Sequence, residues 1–243
     1  MVAVDEGTPI GIAFAHARED EWFLSELYVE PSFRQQGIGL GLLEEAARGA
    51  GDVVRSGYLG ASDPEALAFF VRRGVALRAP VLELSGEVPH DNELVRIAAG
   101  EYRFHAVPLD LNAHRHALVQ LDRETIGCDR LLDHAYFAEH ASGTVFVRES
   151  EIVAYAYGWP SGTIGPMAAA SPAYAVQVFG FALAALRQQY GATWCRVMVP
   201  GSNIRLARAA TRAGLRIEGA GVFASDATAH DLSRYAAFDP LLF

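Results

Sequence analysis

The sequence predicts an α/β fold, an α+β mixed sheet with helices packed on it, built as two consecutive units. Three observations carry this prediction. Short apolar runs with period-two alternation are interleaved with stretches of helical periodicity along the whole chain. The order of these elements then repeats: Pro31 to Asp63 spans 32 residues and Pro172 to Asn203 spans 31, while Asp63 to Gly74 and Asn203 to Gly214 both span 11. Val2, Val4, Ile10 and Phe14 also align with Val145, Val147, Val153 and Tyr157 at a single offset of 143.

Residues 1–5 and 9–16 read as two strands, with Glu6-Gly7-Thr8 as the turn and Ile10, Ile12 and Phe14 alternating. Residues 22–29 form a third strand that leads, through Pro31-Ser32, into a helix reaching about residue 50. Along it Ile38, Leu42 and Ala46 recur at helical spacing, so one face is apolar and packs on a sheet. Residues 52–60 contain the next strand. Asp63 followed by Pro64 opens a helix and Gly74 closes it. Residues 81–84 read as a short final strand, and the Gly, Pro, His, Asp and Asn of 86–92 as a linker.

Past the linker, residues 102–107 are a strand, followed by helices over about 112–123 and 128–139. Residues 144–149 and 152–159 make a hairpin, with 163–168 as the next strand. Ser171-Pro172 starts a long helix to about residue 190, 193–199 is a strand, and Asn203 caps a helix closed by Gly214. The units are therefore drawn at 1–86 and 100–243, with 87–99 between them.

Composition narrows the function. The 243 residues are 51% hydrophobic and 20% charged, ordinary for a globular protein with a sizeable core. A net charge of -9 argues against nucleic acid or an anionic membrane as the main partner. The chain has no lysine, its permanent cations all being arginine, which excludes Schiff-base and pyridoxal-phosphate chemistry on this chain. Cys128 and Cys195 stand alone, so neither a disulfide framework nor a zinc site is expected. His114 and His116, two apart on a helix, do not share a face, and His134 and His140 lack partners at ligand spacing. No signal peptide and no membrane-spanning run is evident, which makes a reducing cytoplasm the expected location.

The chemistry concentrates in residues 27–43, where a strand, a glycine-bearing turn and a helix follow one another. The first turn of a helix carries amides with no intrahelical partner and the positive end of the macrodipole. Gly37 and Gly39 have no Cβ, so a phosphate can approach that backbone closely. The competing reading is internal: Ser32 with Gln35 three residues on is a capping box, which would satisfy two of the same amides. There is no Gly-Lys-Ser/Thr of a P-loop, and the glycines run G-x-G-x-G rather than the dinucleotide G-x-G-x-x-G. In so acidic a chain an anion needs local positive charge, for which Arg34, Arg72, Arg73 and Arg78 are candidates.

Val29-x-Pro31-x-x-Arg34-x-x-Gly37-Ile38-Gly39-x-x-Leu42-Leu43 resembles the acetyl-CoA motif of the GNAT superfamily of N-acetyltransferases, Arg/Gln-x-x-Gly-x-Gly/Ala. The resemblance implies tandem GNAT-like folds, with motif and flanks covering about residues 8–84. It implies that the backbone of Leu27, Tyr28 and Val29 pairs with the pantetheine arm of acetyl-CoA. Arg34, Gln35, Gln36, Gly37, Ile38, Gly39 and Leu40 would surround the pyrophosphate. The family's Asn-x-x-Ala-x-x-x-Tyr helix matches Asp63-x-x-Ala66-x-x-x-Phe70, so Phe70 replaces a tyrosine that often protonates the leaving thiolate. Shifted by the repeat, Arg34, Gly37 and Gly39 fall near Ala175, Val178 and Gly180, which makes the second unit a degenerate copy. The stretch from Leu121 to Arg130, with Ile164-Gly-Pro166, is similar to the C-terminal half of some tandem bacterial acetyltransferases.

Residues 102–143 have no counterpart ahead of Met1. In the family that part supplies the first strand and the two helices that wall the acceptor pocket, so the first unit is expected to begin mid-fold. Intact-mass or N-terminal sequencing of the natural protein tests this. The helices at 112–139, or a second copy in a homodimer, are the candidates to cover that pocket. Glu26 is the carboxylate nearest the cofactor strand and the first choice as general base, although strand parity points it away from Ser25. Tyr28 is the candidate to replace the missing acid. The chain is thus expected to be an acetyl-CoA-dependent N-acetyltransferase acting on a small amine or a protein amine, without a metal. The alternative is a non-catalytic acyl-CoA-binding or scaffold protein.

Overall fold

Among the described residues twelve strands form one sheet, and the two halves of the repeat meet inside it. The structure, a computed structural model, describes residues 1–227 and 230–243. The first half holds β1 (Val2–Asp5), β2 (Thr8–Ala17), β3 (Glu21–Val29), α1 (Ile38–Ala46), β4 (Val54–Gly60), α2 (Pro64–Val71) and β5 (Leu77–Glu87). After α3 (Asp91–Ala98) come β6 (His105–Pro108), α4 (Leu111–Thr125), α5 (Leu131–His140), β7 (Ser142–Arg148), β8 (Glu151–Gly158) and β9 (Thr163–Ala169). The chain ends with α6 (Pro172–Tyr190), β10 (Trp194–Pro200), α7 (Ile204–Arg212), β11 (Arg216–Ser225) and β12 (Tyr235–Ala236).

The sheet order is β1-β2-β3-β4-β11-β5-β10-β9-β8-β7-β6, with β12 on β9. The closing strands of the two halves are exchanged: β11 inserts beside β4, and β5 pairs with β10. Burying both edges in this way removes two open strand ends from solvent. It also corrects the short strand expected at 81–84. β5 runs eleven residues because β10 and β11 extend it on both sides. Pro80 sits just beyond the last β10 pair, Pro200↔Val81, where a missing N–H is tolerated. The strand β11 was not anticipated from the sequence at all.

Residues 87–99, read as a linker, hold α3. The Asp91 and Asn92 that suggested a turn are helix-start residues, with Asp91 and Glu93 in the first turn, Arg96 in the last and Leu94 buried. α3 packs along α6 closely enough that a Cβ on Gly180 would come 2.5 Å from the Ala98 nitrogen.

The core lies on both faces of the sheet. One cluster packs beneath α6 and α7, with Val178, Phe179, Leu183, Leu186 and Leu206 against Met167 and Val197. On the opposite face α4 and α5 bury Tyr155 and Tyr157 with Leu118, Phe137, Phe223 and Phe243. A smaller cluster under α1 and α2 contains Trp22, Leu24, Leu59 and Phe70. The repeat is unequal here. Tyr155 and Tyr157 are 0% exposed, whereas their counterparts Ile12 and Phe14 are 36% and 52% exposed. The helices at 112–139 reach only the β2–β3 corner of the first half, where Arg18 bonds Asp133 (3.0 Å) and Glu21. Arg130 joins the same group through Asp133 at 2.9 Å and Tyr235, so two buried arginines are neutralised by two buried acids. Among the described residues no helix is long and apolar enough to cross a membrane.

Candidate active site

The parallel pair β3–β4 has its register only from Glu21↔Val54 to Leu24↔Gly57. Beyond that point the described residues of the two strands no longer pair, and the β4-facing edge of β3 is left open out to Val29. The divergence coincides with a β-bulge on β3. β2 pairs Ala15 with Leu24 and Phe14 with Glu26, so Ser25 is the extra residue. Its hydroxyl donates to the Leu241 carbonyl at 2.8 Å and lies 3.0 Å from His16 Nδ1. Because Ser25 donates to Leu241, His16 Nδ1–H is the donor in the second bond. Burial, with the neighbouring Arg18 charge next, lowers His16 to about 4 and keeps it neutral.

The bulge corrects the parity expectation for Glu26. Strict alternation would set it opposite Ser25, but pairing with Phe14 puts it on the face that carries Ile12, Phe14 and His16. Glu26 is exposed there and does not line the cleft described below. Tyr28, paired with Ile12, shares that face; its hydroxyl donates to Glu30 Oε2 at 3.0 Å, which raises the phenol above its ordinary value.

After β3 the chain makes a 3₁₀ turn at Pro31–Phe33 and enters α1 through two left-handed residues, Gln35 (φ +63°) and Gly37 (φ +83°). Gly37 is the N-cap of α1 and no side chain caps it. The capping box expected from Ser32 and Gln35 does not form, because Ser32 lies inside the 3₁₀ turn and the N-cap of α1 is Gly37, five residues further on. The first helical bond is Gly41 N–H to Gly37 O at 3.0 Å, which leaves the Ile38, Gly39 and Leu40 amides without a helical acceptor. Leu42 is the buried anchor of the apolar face and lies over Gly11 of β2.

A cleft of about 550 Å³ opens between this loop, the end of β3 and α2. Leu27, Tyr28, Val29, Arg34, Gln35, Gly39, Asp63 and Phe70 line it, of the residues expected at the cofactor. Gly37 and Ile38 are not on the lining; Gln36 points away, its amide 3.5 Å from Ser32 O, and Leu40 faces an adjoining apolar cavity that shares Phe70. Asp63 caps α2 by accepting from Ala66 N at 2.9 Å. Phe70 is buried, edge-on to Phe69 at 5.1 Å, and has no proton to give.

Charge at the cleft is partly self-compensated. Arg34 donates through Nε to Val29 O at 3.0 Å and lies 3.8 Å from Glu65 across the mouth. Arg72 also lines the cleft, and Arg73 lies over the Phe69 ring at 3.5 Å. Arg78 is not part of it: its guanidinium donates to Ser225 O and Asp226 O at the end of β11. Sequence reasoning missed Phe33 and Glu65, and read the Phe69-Phe70 pair as core; Glu65 and Phe69 repeat at helical spacing with Arg72, the C-cap of α2, which is the signal that marks a cleft-facing stripe. Among the described residues no cluster of three potential metal ligands occurs.

Residues 1–74 match the family model described as "Acetyltransferase (GNAT) domain". Among solved structures, a candidate acetyltransferase from Pyrococcus horikoshii superposes with TM-score 0.70 at 14% identity, over 98% of this chain and 78% of that one. A GCN5-related N-acetyltransferase from Sphaerobacter thermophilus gives TM-score 0.59 at 18% identity, over 94% and 81% of the two chains. A tandem GNAT protein from the clavulanic acid biosynthesis pathway gives 0.56 at 14% identity, over 92% and 81%. No curated protein matches the sequence. The amino-terminal 74 residues are therefore similar to the GNAT acetyltransferase domain, and the fold of the whole chain is that of these solved GNAT proteins.

Proposed function

We propose that this protein is an acetyl-CoA-dependent N-acetyltransferase that modifies a primary amine of a small molecule or a protein, with the donor bound in the first half of the repeat. The observation that carries this reading is the uncapped first turn of α1, which follows Gly37 and lines the cleft through Gly39 beside the unpaired end of β3. The free amides of Ile38, Gly39 and Leu40 and the helix dipole suit a pyrophosphate, and Gly37 and Gly39 allow it close. Arg34 adds a charge-assisted donor once it leaves Glu65. The open edge of Leu27, Tyr28 and Val29 suits an amide-bearing arm, which adds to β3 as a strand would.

Acetyl-CoA supplies a thioester whose leaving thiol has an ordinary pKa of ~8.5. The amine nitrogen bonds the acetyl carbon, the carbon–sulfur bond breaks, one proton leaves the nitrogen and one is taken up by the thiolate. Glu26 is assigned the nitrogen's proton, through water, because its carboxylate is exposed on the face shared with Tyr28. Phe70 donates nothing, so the thiolate's proton comes from Tyr28 or from solvent. A single general acid contributes about 10²–10⁴-fold, so its loss slows transfer without abolishing it.

A second reading, a non-catalytic acyl-CoA-binding or scaffold protein, draws on two features: Phe70 at the acid position and the bare β1–β3 face. Calorimetric titration with acetyl-CoA tests both readings, since neither survives an absence of binding. A thiol-release assay over an amine panel separates them; binding without any release supports the scaffold.

A further inference from the structure

The second half of the repeat has a cleft at the equivalent place, between α3, α6 and α7, with a volume of about 830 Å³. A shift of 140 residues, the distance from Asp63 to Asn203, turns one cleft wall into the other. Glu65, Ala68, Phe69 and Arg72 of α2 become Arg205, Arg208, Ala209 and Arg212 of α7, and all eight line their respective clefts.

The second cleft does not offer the first one's binding chemistry. α6 starts with Pro172, which has no N–H, and Ser171 Oγ already accepts from Ala173 N. The last turn of α3 lies against Gly180, which falls at the place of Gly39 at an offset of 141, so no ligand reaches that backbone. What replaces the amides is a set of side chains. Arg205, Arg208 and Arg212 stand at i, i+3 and i+7 on one exposed face of α7, and among the described residues they form no ion pair. Arg96 faces them from α3, held by Glu93 at 2.8 Å. Glu93 and Glu101 are the only acids on the lining.

A second, independent observation lies in the wall. Gln177 is 5% exposed, and its amide nitrogen donates to Tyr102 O at 2.6 Å, which fixes the amide's orientation. Its Oε1 is buried without a partner, beside Gly100 of the same lining. A buried acceptor left unmet is unfavourable, and a ligand N–H or O–H at that point would satisfy it.

We propose that this groove binds a small phosphate-bearing ligand of nucleoside-diphosphate size that also carries a hydrogen-bond donor. The α7 guanidiniums supply planar forks matched to phosphate oxygens, and Gln177 Oε1 receives the donor. The volume falls in the range of about 300–1,000 Å³ usual for small-molecule sites. The site stands apart from the acetyl-transfer reading, which concerns the other cleft.

The test is calorimetric titration of the full chain with ADP and, separately, with inorganic pyrophosphate, each with and without saturating acetyl-CoA. ADP is expected to bind one to one in both conditions and more tightly than pyrophosphate. The exposed double variant Arg208→Glu/Arg212→Glu should weaken ADP at least tenfold while its thermal melt stays unchanged. Absence of ADP binding, binding untouched by the double charge reversal, or displacement of ADP by acetyl-CoA would each overturn the proposal. Acetyl-CoA binding is measured in the same experiment, so failure of the first cleft is seen separately from failure of the second.

Discussion

Val81 of β5 and Gly221 of β11 face each other across the middle of the sheet, and each is the other's counterpart in the repeat, 140 residues apart. The flanking pairs Leu82↔Ala220 and Pro80↔Val222 exchange under the same shift. A local twofold axis therefore passes through this pair, and the two halves meet as two copies of one chain would in an isologous dimer. Gly221 is also the point where the Tyr58 ring crosses β11 to donate to Glu83 at 2.6 Å.

A Cβ at 221 would lie 2.1 Å from the Tyr58 ring carbon and hydroxyl, so Gly221→Val forces the ring off Glu83. Overpacking of this kind typically costs about 1–3 kcal/mol. Urea denaturation should show a lower midpoint with the slope preserved; an unchanged midpoint would mean that the ring is not held there.

Gly37→Ala meets nothing within 4 Å but must adopt φ +83°. The strain costs roughly 1–2 kcal/mol, which either destabilises the chain or turns the loop away from its observed path. Acetyl-CoA affinity should fall at least tenfold, measured by calorimetry. Wild-type affinity with lowered stability would separate the loop from the phosphate.

Glu65 draws Arg34 across the mouth of the cleft at 3.8 Å with both side chains exposed. Exposed pairs of this type are worth about 0–1 kcal/mol, so Glu65→Gln should tighten acetyl-CoA by a few-fold, and most at low salt. Weaker binding in this variant would mean that Glu65 itself contacts the donor.

Asp122 accepts from Tyr155 and, at 2.8 Å, from His134 Nε2, and His134 Nδ1 meets the Tyr157 hydroxyl at 2.9 Å; all four are fully buried. Asp122→Ala leaves two buried polar groups unpaired, at a cost of about 1–3 kcal/mol each. Tyr155→Phe removes a single partner and should cost less. Thermal melts of equal midpoint for wild type and Asp122→Ala would contradict the network.

His16 is lowered to about 4 by burial first and Arg18 second, so between pH 6.5 and that value the unfolded chain binds a proton that the folded chain does not. Stability therefore falls as pH drops through this window, and His230, also lowered by burial, adds to the same slope. Asp133 works on the acid side: burial pushes it up, but Arg130 and Arg18 outweigh that and hold it below its ordinary value. Its contribution is present above the usual carboxylate range and fades as pH falls further. Urea midpoints measured from pH 7 to 4 should fall less steeply in His16→Gln than in wild type; parallel curves would remove His16 as a cause.

The strand-turn-helix of residues 27–43, the caps at Asp63 and Asn203 and the helix periods were legible in the sequence, because each depends on residues within a turn or two of one another, and the repeat was legible because these local patterns recur in order. The glycine-bearing turn into α1 was legible for the same reason, although Ser32 and Gln35 suggested a cap that the chain does not use. The exchange of β5 with β11 was decided only by the tertiary structure, since a strand's own residues do not say which neighbour will take its edge. The same holds for the bulge that turns Glu26 toward Phe14, and for α3, whose polar start reads as a turn until Leu94 finds the core beneath α6. Local sequence set most of the helices and strands and where the glycine-bearing turn lies; long-range pairing, which trades chain entropy for buried edges and apolar area, determined the rest.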